Sequence, residues 1–286
     1  MRDHSQLIGQ VINEQETTVT LHDTILYALA LGFGGDPMDE QQLRYVYEEN
    51  LASLPGMAMI IAYPGFWMRE PQYGFEWQKV LHAEESIEIH HPLPTTGKVR
   101  GRTVVEDVVD RGADKGCFVY LRKELHGGDD GSTHLATVIS NTLARGDGGF
   151  GGGGKPHAPM APPPDRNPDM VCDLQTSPQA ALLYRLCGDM NPLHADPKVA
   201  RAAGFDRPIL HGRCTMGVAM HALIRSCCDY DATRLKRMQL RFSAPFLPGE
   251  TLRTEIWREH DAVHFRASSV ERAVVVLSNG NAQISD

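Results

Sequence analysis

The densest chemistry in the chain lies in Gly188-Asp189-Met190-Asn191-Pro192-Leu193-His194-Ala195-Asp196-Pro197. A glycine, an asparagine and two prolines forbid a continuing helix here, so the segment must form a tight, fixed turn. Asp189, Asn191 and His194 can then converge on one point. A carboxylate beside an imidazole suits the positioning of a water molecule and the passing of its protons, because histidine titrates near neutrality and aspartate is ionised there. The same residues also admit a structural reading, in which Asp189 caps a turn, Asn191 makes an Asx-turn and His194 lies on the surface. Downstream, Gly204-Phe205-Asp206-Arg207-Pro208-Ile209-Leu210-His211-Gly212 favours the chemical reading. An apolar helix start with glycine in its first turn brings backbone N–H groups close to a ligand, and the helix dipole favours negative charge developing on an oxygen.

These residues need a scaffold, and its elements can be read. A helix is expected from Pro208 to about Cys228, with Pro208 near its start. Short helical patterns cover His22 to Ala30 and Ser177 to Leu186. Strands are expected at Glu85–His90, Lys98–Val109, Cys117–Leu125 and Thr133–Leu143, and again at Met238–Ser243, Leu252–Arg258, Ala262–Ser269 and Ala273–Leu277. Strands following a helix at close spacing suggest an antiparallel sheet curled around it, an α+β arrangement. The two series are divergent copies: Tyr27 and Tyr184 stand 157 apart, while Pro55 and Pro208, and Pro92 and Pro245, stand 153 apart. Between them, Gly146 to Pro168 has no hydrophobic period and reads as a Gly/Pro-rich linker between two compact bodies. The expected organisation is therefore 1–145, a linker 146–168, and 169–286.

Composition limits the partners. The chain has 28 basic and 36 acidic residues and a net charge of −8, which argues against a nucleic-acid binder. No run of 18 uncharged apolar residues occurs, and the N-terminus opens polar, so neither a membrane span nor a signal peptide is expected. Six cysteines without a Cys-x-x-Cys pair or zinc-ligand spacing read as reduced thiols. No dinucleotide glycine fingerprint and no nucleophile elbow is present, and the adjacent His90 and His91 point to opposite faces of a strand. No metal or redox cofactor is expected.

The run GDMNPLHADPKVARAAGFDRPILHG resembles the hydratase-2 motif of the MaoC-like family of (R)-specific enoyl-CoA hydratases and 3-hydroxyacyl-CoA dehydratases. The duplicated layout resembles the family's two-repeat members. The resemblance implies a double hot-dog fold, two repeats of antiparallel sheet each wrapped around a helix. It implies a cofactor-independent hydro-lyase in which Asp189 and His194 hold the water that adds across C2=C3, Asn191 fixes their loop, and the backbone N–H of Gly212 binds the thioester carbonyl. A homodimer is also expected from the family. The first repeat lacks His and Asn at the equivalent stretch and is expected to be catalytically empty. Its Leu54–Ala62 and Phe66-Trp67 either line an acyl tunnel or form ordinary core.

Arg213 departs from the family pattern, which has an apolar residue after the glycine. It is open to three readings: a surface residue, a contact to CoA, or a residue that reshapes the chain pocket. An acidic protein needs a local basic patch for CoA phosphates, and Arg234, Lys236, Arg237 and Arg241 form the densest one, unless they are merely a solvated face. Lys198 and Arg201 are weaker candidates. His82 beside Glu84 and Glu85 resembles an acid–base centre but falls in a structural stretch of the family. Rival functions are an acyl-CoA thioesterase on the same fold and a non-catalytic acyl-CoA-binding protein. The C-terminus lacks a Ser-Lys-Leu-type ending, from which a bacterial cytoplasmic enzyme is expected.

Overall fold

The computed structural model describes residues 2–155, 157–259 and 262–285. Ten strands form one antiparallel sheet. The first half supplies β1 (Val11–Val19), β2 (Val80–Ile89), β3 (Gly97–Asp110), β4 (Cys117–Gly127) and β5 (Thr133–Ala144). The second supplies β6 (Met170–Gln175), β7 (Leu235–Phe242), β8 (Thr251–Glu259), β9 (Ala262–Ser269) and β10 (Val274–Ile284). The order across the sheet is β1-β3-β4-β5-β2-β7-β10-β9-β8-β6, so each half uses the same order, and the halves meet where β2 pairs with β7. This is the double hot-dog arrangement that the resemblance implies.

The helices are α1 (Leu21–Ala30), α2 (Glu40–Val46), α3 (Ala180–Tyr184), α4 (Pro197–Ala202) and α5 (Gly212–Cys227). From Cys214 to Ile224 every residue of α5 is buried. A helix that is buried all round belongs at a centre, not on a surface. Small residues let neighbours approach it: a Cβ on Gly217 would lie 2.4 Å from Leu31 Cδ2. The expected helix began at Pro208, but α5 begins four residues later. Pro208 to His211 stays out of the helix because its backbone is used elsewhere, with Leu210 N donating to Phe246 O and Ile209 O accepting from His194.

The two halves do not make two separate bodies. One core contains Leu31, Phe33, Tyr45 and Met57 from the first half and Met216, Met220 and Leu223 from the second. The reason is that the first sheet has no long helix of its own. Its inner face is covered by short 3₁₀ turns at Pro55–Met59, which also touches α5, and at Trp67–Arg69 and Pro71–Tyr73. Leu54, Met57, Met59 and Ile61 are core residues, and Trp67 packs with Tyr73, Phe75, Val105 and Val119 in a second cluster. Phe66 remains exposed. The core reading of this stretch is the one the packing supports.

The Gly/Pro-rich segment between the halves is tied down along its length. Asp110 accepts from the backbone N–H groups of Gly149 (2.7 Å) and Gly151 (2.6 Å), and Gly154 N donates to Val108 O at 2.8 Å. A Cβ at Gly153 would sit 2.0 Å from Val108 O, so glycine there permits close approach to β3 rather than looseness. His157 stacks on Tyr120 at 3.8 Å, Met160 O accepts from Asn279, and Arg166 O accepts from Trp257 Nε1.

Candidate active site

Residues 188–196 form the turn expected of them. Asn191 caps a 3₁₀ turn at Pro192–His194, its Oδ1 accepting from Leu193 N at 3.1 Å, and Asn191 N donates to Asp189 Oδ1 at 3.2 Å. The Asx-turn and capping roles are therefore real. They do not leave His194 on the surface, because its ring is 8% exposed. Its Nδ1 donates to Ile209 O at 2.9 Å, which fixes the tautomer and leaves Nε2 with a free lone pair. Burial lowers the His194 pKa below the usual 6.5, against the opposing pull of the Ile209 carbonyl and Asp189. The imidazole is neutral at pH 7 and can act as a base.

A second histidine joins Asp189 and His194. The His211 ring stacks on His194 with centroids 3.7 Å apart, and its Nε2 donates to the Asp189 carbonyl at 3.1 Å. Burial and the neighbouring His194 push its pKa down to about 4. Donor atoms of Asp189, His194 and His211 all lie within 4.8 Å of one another. These are also donor types a divalent cation accepts, although one nitrogen of each histidine is already committed to a carbonyl. His211 stood inside the quoted motif, and its place just before the helix glycine was the available signal.

The N-terminus of α5 points its first N–H groups into this region. His211 is the N-cap and makes no side-chain cap bond, so the N–H groups of Gly212 and Arg213 have no partner within the helix. Gly212 is packed closely, since a Cβ there would lie 3.2 Å from the Phe242 ring. Asp189, Asn191, His194 and Gly212 are thus brought together around one helix end.

The cations are not gathered in the same way. On β7, Met238 and Leu240 face the core, so Arg237 and Arg241 face the opposite side of the sheet from α5. Arg234 donates to Ser285 O and lies 3.5 Å from Asp229, while Lys236 is exposed in a bulge. Strand alternation turns Arg237 and Arg241 away from the helix end, while Arg234 in its 3₁₀ turn and Lys236 in the bulge lie at the start of the strand. Lys198 and Arg201, exposed on α4, directly follow the turn.

Arg213 is neither on the surface nor among those cations. Its side chain is 15% exposed and pairs with Glu85 on β2, which is completely buried, at 3.1 Å. It also donates to Ser140 Oγ at 3.0 Å, and its guanidinium lies 4.7 Å from the centre of the Tyr63 ring. His82 Nε2 is 2.5 Å from the other Glu85 oxygen. Burial would raise the Glu85 pKa, but Arg213 and His82 outweigh it and hold the carboxyl at about 2. Glu84 faces away and accepts from Asn141.

Two family models divide the chain: the MFE-2 hydratase 2 N-terminal domain matches residues 18–146, and the MaoC-like domain matches residues 159–280. The chain is 39% identical to 3-hydroxyacyl-thioester dehydratase Y of Mycobacterium tuberculosis, covering 96% of this chain and 95% of that one. It is 35% identical to the mouse peroxisomal multifunctional enzyme type 2, covering 95% of this chain but 37% of that longer protein. The crystal structure of a MaoC-like dehydratase from Phytophthora capsici superposes with a TM-score of 0.86 at 30% identity, over 100% of this chain and 98% of that one. On these matches, which run through both repeats, the chain belongs to the MaoC-like hydratase-2 family.

Proposed function

We propose that the protein reversibly hydrates trans-2-enoyl-CoA to (R)-3-hydroxyacyl-CoA. The observation that carries this reading is a neutral, tautomerically fixed His194 beside Asp189 at the free N-terminus of α5. In the hydration direction, a water held between the Asp189 carboxylate and His194 Nε2 gives a proton to His194 as its oxygen bonds to C3. The C2=C3 electron pair moves toward the thioester oxygen, which accepts a hydrogen bond from Gly212 N–H. A proton returned to C2 by the same pair completes the addition. Removing one donor from such an oxyanion site typically costs roughly 2.7–4 kcal/mol. Lys198 and Arg201 are the proposed cations for the CoA phosphates, since they adjoin the turn.

Incubation with crotonyl-CoA should bleach the enoyl absorbance and yield the (R)-alcohol without releasing a thiol. Free CoA appearing at the rate of substrate loss would instead make the protein a thioesterase, and saturable binding without turnover would make it a carrier. We also propose a homodimer, on the family resemblance, to be weighed by light scattering. A cytoplasmic location rests on six unpaired cysteines suited to a reducing compartment, and cell fractionation checks it.

A further inference from the structure

Arg213 follows directly on the residue whose N–H is assigned to the substrate carbonyl. Its side chain does not follow the helix but reaches across to the first repeat, where all of its partners lie: Glu85 on β2, Ser140 on β5 and the Tyr63 ring. The Tyr63 ring, 4.7 Å from the guanidinium carbon, covers Arg213 from the first-repeat side. The pair therefore stands where the helix end, the seam between repeats and the first sheet meet.

We propose that the Arg213–Glu85 ion pair is the floor of the acyl pocket and restricts the enzyme to short-chain enoyl thioesters. The inference rests on the hydratase reading above. Both oxygens of Glu85 are already occupied, Oε1 by Arg213 and Ser140 and Oε2 by Arg213 and His82. The face of the guanidinium is covered by Tyr63. A charged or hydroxylated chain end would find a neutralised pair with its acceptors taken, so the pocket offers no reward for a polar tail. A long apolar chain would have to displace the pair, and two charges that lose each other inside a protein are strongly unfavourable. Behind the pair the interior is closed. Lys123 Nζ donates to Met59 O and Ile61 O, and Leu54, Met57 and Met59 of the same segment are fully buried. A chain that extended a few carbons beyond C3 would therefore meet a rigid polar wall.

The test is a chain-length series of trans-2-enoyl-CoA substrates from four to sixteen carbons, run on the full protein. The wild type should show kcat/KM falling by about tenfold or more between crotonyl-CoA and octenoyl-CoA, the scale on which pockets discriminate methylenes. The double variant R213L/E85Q removes both charges at once and keeps an acceptor for Ser140. It should raise the octenoyl-to-crotonyl ratio of kcat/KM by about tenfold, whatever absolute activity it retains. R213K, which keeps the charge, should preserve the short-chain preference. A wild type that turns over hexadecenoyl-CoA as well as crotonyl-CoA overturns the proposal, and this result does not depend on any variant folding. An unchanged ratio in a folded double variant with a lowered melting temperature also overturns it, assigning the pair to holding the seam. No hydration of any chain length by the wild type would instead refute the hydratase reading itself.

Discussion

In the second repeat, strands β6 to β10 close around a sixteen-residue helix whose N-terminus is left open beside Asp189, His194 and His211. In the first, the same strand order closes around a five-residue 3₁₀ turn, Pro55–Met59, whose carbonyl end is held by the buried Lys123. Sheet topology is therefore insufficient to make a site. The chemistry needs a helix long enough to be fixed at its far end by the core, so that its first N–H groups can remain without partners. A short turn has no such reserve. Lys123 supplies to its carbonyls what continued helix would have supplied, and it does so with a charge that burial depresses well below the usual lysine pKa.

The largest test of this contrast is to remove equivalent acids. Asp189→Ala or His194→Ala should lower kcat/KM for crotonyl-CoA by roughly 10²–10⁴-fold, with melting temperature preserved. Asp36→Ala, exposed in Gly32-Phe33-Gly34-Gly35-Asp36, which follows α1 as Cys187-Gly188-Asp189 follows α3, should leave it within about twofold. Comparable losses at Asp36 and Asp189 would break the asymmetry. Because burial holds His194 below 6.5, the wild-type rate should be flat through neutrality and fall only on the acid side of 6.5. An acid limb centred above pH 7 would assign the base elsewhere.

Next in size is acid stability. His211 and His221 are buried in the second repeat with pKa values pushed down to about 4, His221 stacking on Phe33 and directing Nδ1 to Leu31 O. Unfolding returns them to about 6.5, so the unfolded chain binds more protons between those values. Their contribution is complete above pH 6.5 and is lost as pH falls toward 4, on the order of 3 kcal/mol for each. Urea melts at stepped pH should show this slope, and a His221→Leu variant should flatten it. A slope unchanged by that substitution would remove His221 from the account.

Lys123→Met should destabilise by about 1–3 kcal/mol, since Met59 O and Ile61 O lose their donor. A variant more stable than wild type would mean that relief of the buried charge outweighs those bonds. The smallest expected effect is that of a chelator. Base and donor suffice for the proposed chemistry, so EDTA should leave the rate unchanged, and a loss restored by added metal would put a cation among Asp189, His194 and His211.

The sequence made much of this readable, for physical reasons. Strand β4 alternates, and β3 and β5 are rich in β-branched residues; with β9 they are expected within a few residues of their ends. Strand β1 was missed because Asn13-Glu14-Gln15-Glu16 is polar, as an exposed edge strand can be. Strand β10 was stopped at Leu277 because Ser278-Asn279-Gly280 reads as a turn. In the fold it is a bulge, with Asn279 at φ 52° and Gly280 packed under Phe265. The turn at 188–196 is legible because its residues are local. The Arg213–Glu85 pair was not, since its members are 128 residues apart and nothing near either one names the other. The looseness expected of 146–168 failed for a related reason: glycine signals freedom and close approach alike, and only Asp110 and Val108 decide which.

The seam between β2 and β7 pairs two strands that hold the same place in their respective repeats. It is the junction that two identical chains would build across a true two-fold axis. Joined in one polypeptide, the halves are released from identity. A residue such as Arg213 then appears once per ten-stranded sheet instead of twice, and can meet a different residue opposite it. The fused chain can thus place Glu85 in one half, opposite an arginine of the other, without repeating either residue across the seam, a freedom closed to any symmetric pair.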